Sequence, residues 1–87
     1  MKLIIAILKD DDIDAAIQAL TAENYRVTRV ASTGGFFHKG STTLLIGVDD
    51  DKVDATIQIL RNKTTPPASG EKRATVFVVP VTRFEQL

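Results

Sequence analysis

The sequence contains no cysteine, which excludes disulfide bonds and thiolate metal sites and fits a reducing compartment. It also lacks any apolar run that approaches the ~18 residues of a membrane-spanning helix. The apolar opening, residues 2–8, turns acidic within two residues, so it predicts a first strand and not a signal peptide. These absences predict a cytoplasmic protein with no membrane partner.

An excess of charge of either sign is missing as well. Eleven basic residues balance eleven acidic ones, which argues against a nucleic-acid polymer bound through a broad electrostatic surface. A small anionic ligand held by one or two arginines is compatible with this balance. The 87 residues predict one domain, 1–87, with a modest core, because a chain this short buries only about 60–65% of its unfolded surface.

Segments with the pattern of strands alternate with segments with the pattern of helices. Apolar or alternating runs predict four strands, over residues 2–8, 25–32, 42–48 and 74–81. Apolar residues at helical spacing predict two helices, whose buried faces are formed by Ile13, Ala16, Ile17 and Leu20 and by Val53, Ile57 and Leu60. Residues 62–73 contain adjacent prolines, a glycine and several charges, and therefore predict a loop.

An internal repeat relates the two predicted helices. Residues 10–20 match residues 50–60 at seven of eleven positions, and each copy lies between two predicted strands. Two βαβ units of this length predict an α+β, ferredoxin-like βαββαβ sandwich with a four-stranded antiparallel sheet and both helices on one face. Three strands are apolar at consecutive positions, so the second face also needs a cover. A further copy of the chain is the simplest cover, which predicts a homo-oligomer.

Three patterns resemble catalytic or metal sites but lack the required context. Residues 35–42 have the glycine spacing of a phosphate-binding P-loop, but Lys39 precedes the second glycine and a strand follows instead of a helix. His38, the only histidine, has no nucleophile or orienting carboxylate at a recognisable spacing. Asp10–Asp12 and Asp49–Asp51 precede equivalent helices, which favours capping and dipole roles over a metal site. The sequence therefore predicts no enzyme, no cofactor and no metal.

Several residues around the glycine segment have the properties of a nucleotide site. Arg26 and Thr28 lie on one face of the second strand, where a guanidinium and a hydroxyl can bind phosphate. The GGFF segment, residues 34–37, offers a backbone that an anion can approach and two rings that can pack against a base. Gly47, inside a strand, indicates close approach by a ligand or another backbone. Alternatively, Arg26 is a solvated arginine at a strand edge, and Phe36 and Phe37 fill a subunit interface.

Five segments carry a family resemblance: the start KLIIAIL (2–8) with Asp10, NYRVT (24–28), STGGFF (32–37), GSTTLLIGVDD (40–50), and the ending ATVFVVPV with FEQL. On these segments, and over nearly its full length, the chain resembles the cyclic-di-AMP receptor branch of the P-II-like signal transduction proteins. The resemblance implies a homotrimer that binds cyclic di-AMP in clefts between subunits and catalyses no reaction. It implies that the ligand contacts Asn24, Arg26, Thr28, Gly34, Gly35, Phe36, Phe37, Ser41 and Gly47, with Phe77 and Gln86 from the adjacent subunit.

The resemblance also implies that the loop before the last strand is the signalling element, which changes shape on binding and contacts a downstream protein. That partner is not identified by the sequence. Ser41 stands where family members commonly have asparagine, and the 62–73 loop is shorter than in many members. These departures keep two alternatives open: a P-II-like sensor of another adenine nucleotide (ATP, ADP, AMP or cyclic AMP), and a structural trimer without a ligand.

Overall fold

The computed structural model describes residues 1–30, 40–66 and 72–87. Its elements follow in the order β1 (Lys2–Lys9), α1 (Asp10–Ala22), β2 (Arg26–Val30), β3 (Ser41–Val48), a 3-10 turn (Asp50–Lys52), α2 (Val53–Lys63) and β4 (Ala74–Pro80). The four strands form one antiparallel sheet in the spatial order β2-β3-β1-β4. The predicted ferredoxin-like α+β fold is therefore confirmed.

Both helices pack on one face of this sheet. Alternate residues of the two central strands are fully buried, and the same core takes in side chains from each helix. The strands contribute Ile4, Ala6, Leu8, Leu44, Ile46 and Val48, and the helices contribute Ile13, Ala16, Leu20 and Leu60. Because burial of one large aliphatic side chain stabilises by roughly 1.5–3 kcal/mol, this single layer is the main source of stability.

The buried face of α2 differs from the prediction by one residue. Thr56 is fully buried, whereas Ile57 is only partly buried. The Thr56 hydroxyl donates a hydrogen bond to the Lys52 carbonyl at 2.7 Å, so its burial leaves no polar group unpaired. In the internal repeat Thr56 occupies the position of Ala16, which is also fully buried. The repeat therefore identifies the buried face better than the apolar pattern of α2 alone.

The chain leaves α1 through a tight turn at Asn24. Asn24 adopts a left-handed backbone conformation with φ of +65°. Its N–H donates to the Thr21 carbonyl at 3.0 Å, and the Tyr25 N–H donates to the Leu20 carbonyl at 3.0 Å. This pair of bonds is the Schellman motif, in which asparagine or glycine takes the left-handed position. The turn sends the chain directly into β2.

The two aspartate clusters do not cap the helices, so that part of the prediction is wrong. The N-cap residues are Lys9 and Lys52, and neither makes a side-chain capping bond in the described part of the chain. Acidic residues do occupy the first turn of α1, where they complement the helix dipole. Asp50 instead pairs with the amino group of Met1 at 2.9 Å. The hydrogen bond and charge of that amino group lower the pKa of the Asp50 carboxyl below its ordinary value.

Candidate functional site

Arg26 lies on the face of the sheet that the helices leave uncovered, called the open face below. It is opposite Gly47, which is opposite Leu3, and together they form one row across three strands. Residues next to this row along the strands point into the core, so alternation places the row itself on the open face. The Arg26 side chain is exposed and has no ion pair among the described residues. Its guanidinium is therefore available to an anion.

Thr28 lies on the open face too, in the next row. Thr28 is opposite Leu45, Leu45 is opposite Ile5, and Ile5 is opposite Phe77 on β4. Thr28 and Phe77 are thus on opposite edges of the sheet, three strand spacings or about 14 Å apart. Phe77 is 53% exposed, and the two aliphatic residues between the edges are partly buried. The row has a polar end, an apolar middle and an aromatic end.

Ser41 is remote from Arg26 within one protomer. It begins β3, six residues before Gly47, which corresponds to about 20 Å along an antiparallel strand. Ser41 instead lines an open depression of about 840 Å³ between the ends of β1, β3 and β4. Lys72 and Arg73 line the same depression. Ser41 and Arg26 thus lie near opposite ends of β3.

The remaining predicted site residues fall into two groups. Asn24 and Gln86 are exposed, in the turn before β2 and in the tail after β4. Gly34, Gly35, Phe36 and Phe37 lie outside the described residues, as does His38.

Gly47 is predicted to be approached by a ligand or another backbone, and its described close neighbour is instead a side chain. A Cβ atom built on Gly47 would lie 2.9 Å from the Cε of Met1. The methyl group of Met1 therefore covers the space above Gly47 on the open face. Because a methionine side chain is flexible, this methyl group can move away from Gly47 at low cost.

The open face is apolar over much of its area. Leu3, Ile5, Ile7 and Leu45 are partly buried, while Val30 and Val79 are exposed along with Phe77. Ile5 and Leu45 separate Thr28 from Phe77, and neither is among the site residues predicted from the sequence. The alternation of side chains along β1 and β3 could have placed both residues on this face. The strand register, which aligns them with Thr28 and Phe77, comes only from the structure.

The described residues were also compared with the requirements of a metal site and of a membrane-spanning helix, and they meet neither. No group of three or more histidine, cysteine, aspartate or glutamate side chains is arranged to hold a metal ion in residues 1–30, 40–66 and 72–87. Over the same ranges, no helix has the length and apolar character required to cross a membrane.

The comparison with protein families decides the assignment of this chain. A family model described as cyclic-di-AMP receptor matches residues 1–69. The chain belongs to this family. The match includes Asn24, Arg26, Thr28, Ser41 and Gly47 and ends before β4. Membership in the receptor family indicates a binding role.

One solved structure is similar to this family member over nearly its full length. It is the crystal structure of a functionally unknown protein from Pediococcus pentosaceus ATCC 25745. The two chains share 30% sequence identity with a TM-score of 0.81, and the alignment covers 99% of this chain and 96% of the other. The likeness therefore extends through β4 and the tail, beyond the range of the family match.

Proposed function

We propose that this chain is a non-enzymatic, cytoplasmic signalling receptor that binds cyclic di-AMP in the clefts of a homotrimer. The observation that carries the proposal is Arg26: an exposed guanidinium on the open face, beside Gly47, in a chain of the cyclic-di-AMP receptor family. In the proposal, rearrangement of the 62–73 loop is the output, and an unidentified downstream protein reads it.

The positions of the site residues support a cleft between subunits. Arg26 and Thr28 lie on edge strand β2, whereas Phe77 lies on the opposite edge strand β4. About 14 Å separates these edges within one protomer. If β2 of one subunit lies near β4 of the next, the two edges come within reach of one ligand. The apolar open face supplies surface for such an assembly.

The chemistry of these residues matches the ligand class. The planar fork of an arginine forms two parallel hydrogen bonds to phosphate oxygens, and the hydroxyl of Thr28 can add a third donor. An aromatic ring such as Phe77 can stack on a purine. Cyclic di-AMP presents two phosphates and two adenines, so it needs both kinds of contact from each cleft.

Calorimetric titration of the purified protein with cyclic di-AMP tests the proposal, with Arg26→Ala and Arg29→Ala as a matched pair. Arg26→Ala removes a charged hydrogen bond to phosphate, so we expect affinity to fall roughly 10- to 150-fold, which corresponds to about 1.5–3 kcal/mol. Arg29 is on the same strand but on the helix face, 3.6 Å from Asp14. Its substitution should leave the Kd unchanged.

Parallel titrations with ATP, ADP, AMP and cyclic AMP separate the alternatives. Tight binding of cyclic di-AMP alone, at one site per subunit, agrees with the proposal. Binding of a mononucleotide without cyclic di-AMP would replace it with the broader adenine-nucleotide sensor. No heat with any of the five ligands would favour a structural trimer.

A further inference from the structure

The start of α1 is hydrogen-bonded to the start of β3, about thirty positions later in the chain. The Asp10 N–H donates to the Gly40 carbonyl at 2.8 Å. The hydroxyl of Thr42, which is buried, donates to Oδ1 of Asp10 at 2.5 Å. Main chain and side chain of Asp10 therefore both hold the segment 40–42.

Two residues further along the same helical turn, Asp12 is bonded to the chain that follows α2. Its Oδ2 accepts the Thr65 N–H at 3.1 Å, and its Oδ1 accepts the Thr65 hydroxyl at 2.6 Å. Asp12 is only 5% exposed. Since hydrogen bonds to a charged group are about twice as strong as neutral ones, this pair fixes Thr65 firmly to α1.

Both bonded segments border regions that matter for the proposed function. Gly40 and Ser41 line the open depression at the end of the sheet, and Ser41 is one of the predicted ligand contacts. Thr65 lies in the predicted signalling loop 62–73, whose far end, Lys72 and Arg73, lines the opposite side of the same depression. Asp10 and Asp11 line this depression as well.

We propose that Asp10 and Asp12 are positioning residues that couple the start of β3 to the start of the 62–73 loop. Both carboxylates project from the first turn of α1, so a shift of that turn moves both of them. A displacement of residues 40–42 pulls on Asp10 and thereby weakens the two bonds between Asp12 and Thr65. The use of this coupling in signalling rests on the proposed function, whereas the coupling itself requires no ligand.

Amide hydrogen exchange measured by NMR on the ligand-free protein tests the coupling in both directions. Thr42→Val removes the hydroxyl bond to Asp10 and should speed exchange of the Thr65 N–H by about fivefold or more. Thr65→Val removes the hydroxyl bond to Asp12 and should likewise speed exchange of the Asp10 N–H, because a coupling between two sites acts in both directions. Each rate is taken relative to the core amide of Ile46.

Two controls keep a general loss of stability from imitating the result. Thr56→Val removes another buried hydroxyl, on α2, and should leave both reporter amides unchanged relative to Ile46. Thr42→Ser keeps the donor and should keep the exchange rate of Thr65 close to that of the unmodified protein. If each variant changes only the bond on its own side of the turn, the proposal is overturned. If Thr42→Val fails to fold, the exposed Thr65 supplies the deciding variant.

Addition of saturating cyclic di-AMP is a separate arm. If the ligand binds and shifts the Thr65 amide resonance in the unmodified protein but not in Thr42→Val, the coupling serves the receptor. If the ligand does not bind, the proposed function fails while the ligand-free exchange still decides the coupling. If the ligand binds and the exchange shows no coupling, the proposed coupling fails while the receptor function stands.

Discussion

Asn24 has a backbone role that is independent of any ligand. Its φ of +65° belongs to the left-handed region, which costs roughly 1–2 kcal/mol for a residue with an ordinary Cβ. We therefore expect Asn24→Ala to lower the free energy of unfolding by about 1 kcal/mol in urea denaturation, and Asn24→Gly to leave it nearly unchanged. Equal stability of the two variants would contradict the role of Asn24 in the turn.

The same residue is a predicted ligand contact, so the choice of variant matters. Asn24→Ala would mix a strained turn with the loss of an amide, and weaker binding would be ambiguous. Asn24→Gly removes the amide and keeps the turn conformation. Its Kd for cyclic di-AMP therefore reports on the side chain alone.

At the scale of elements, α2 offers a direct test of which face is buried. Leu60 is 2% exposed in the core, whereas Ile57 is only partly buried. Leu60→Ala should destabilise the protein by about 2–5 kcal/mol, since it leaves a cavity between helix and sheet. Ile57→Ala should cost about 1 kcal/mol, as for most substitutions outside a core. Urea unfolding of both variants measures the difference, and a larger loss for Ile57→Ala would reverse the assignment.

The two halves of the internal repeat have the same local fold but different contacts. Asp10 and Asp50 are equivalent in the repeat, yet Asp10 accepts a bond from Thr42 while Asp50 pairs with the amino group of Met1. The difference arises because each helix begins beside a different part of the sheet. Equivalence in sequence therefore predicted the helices and the acidic first turn of α1 correctly, but it predicted side-chain capping by the aspartates incorrectly.

For the whole molecule, the decisive feature is the open face. Helices cover the other side of the sheet, and Phe77, Val79 and Val30 remain exposed on this one. If a second copy covers it, Phe77→Lys should place a charge in the interface and shift the mass measured by light scattering from trimer to monomer. Gln18→Lys, on the exposed side of α1, is the control and should leave the mass unchanged. A monomeric unmodified protein would refute the trimer.

Sequence patterns predicted the secondary structure well because they depend on local periodicity. The apolar spacing of Ile13, Ala16 and Leu20 is enough to define a buried helical face, and the βαβ repeat then limits the chain to few topologies. The boundaries differ little from the prediction: α2 continues to Lys63, inside the predicted 62–73 loop. The candidate site was harder to predict from the sequence, because its residues come from separate strands and need not share one end of the sheet.

The sequence by itself determined the elements, their order and the family, since all three depend on the identity and spacing of nearby residues. Only the tertiary structure decided the register that sets Arg26 opposite Gly47, the distance between Arg26 and Ser41, and the bonds from α1 to Thr42 and Thr65. These features join residues up to 53 positions apart, and such pairings arise from packing of the whole sheet against both helices. No local sequence pattern predicts these pairings.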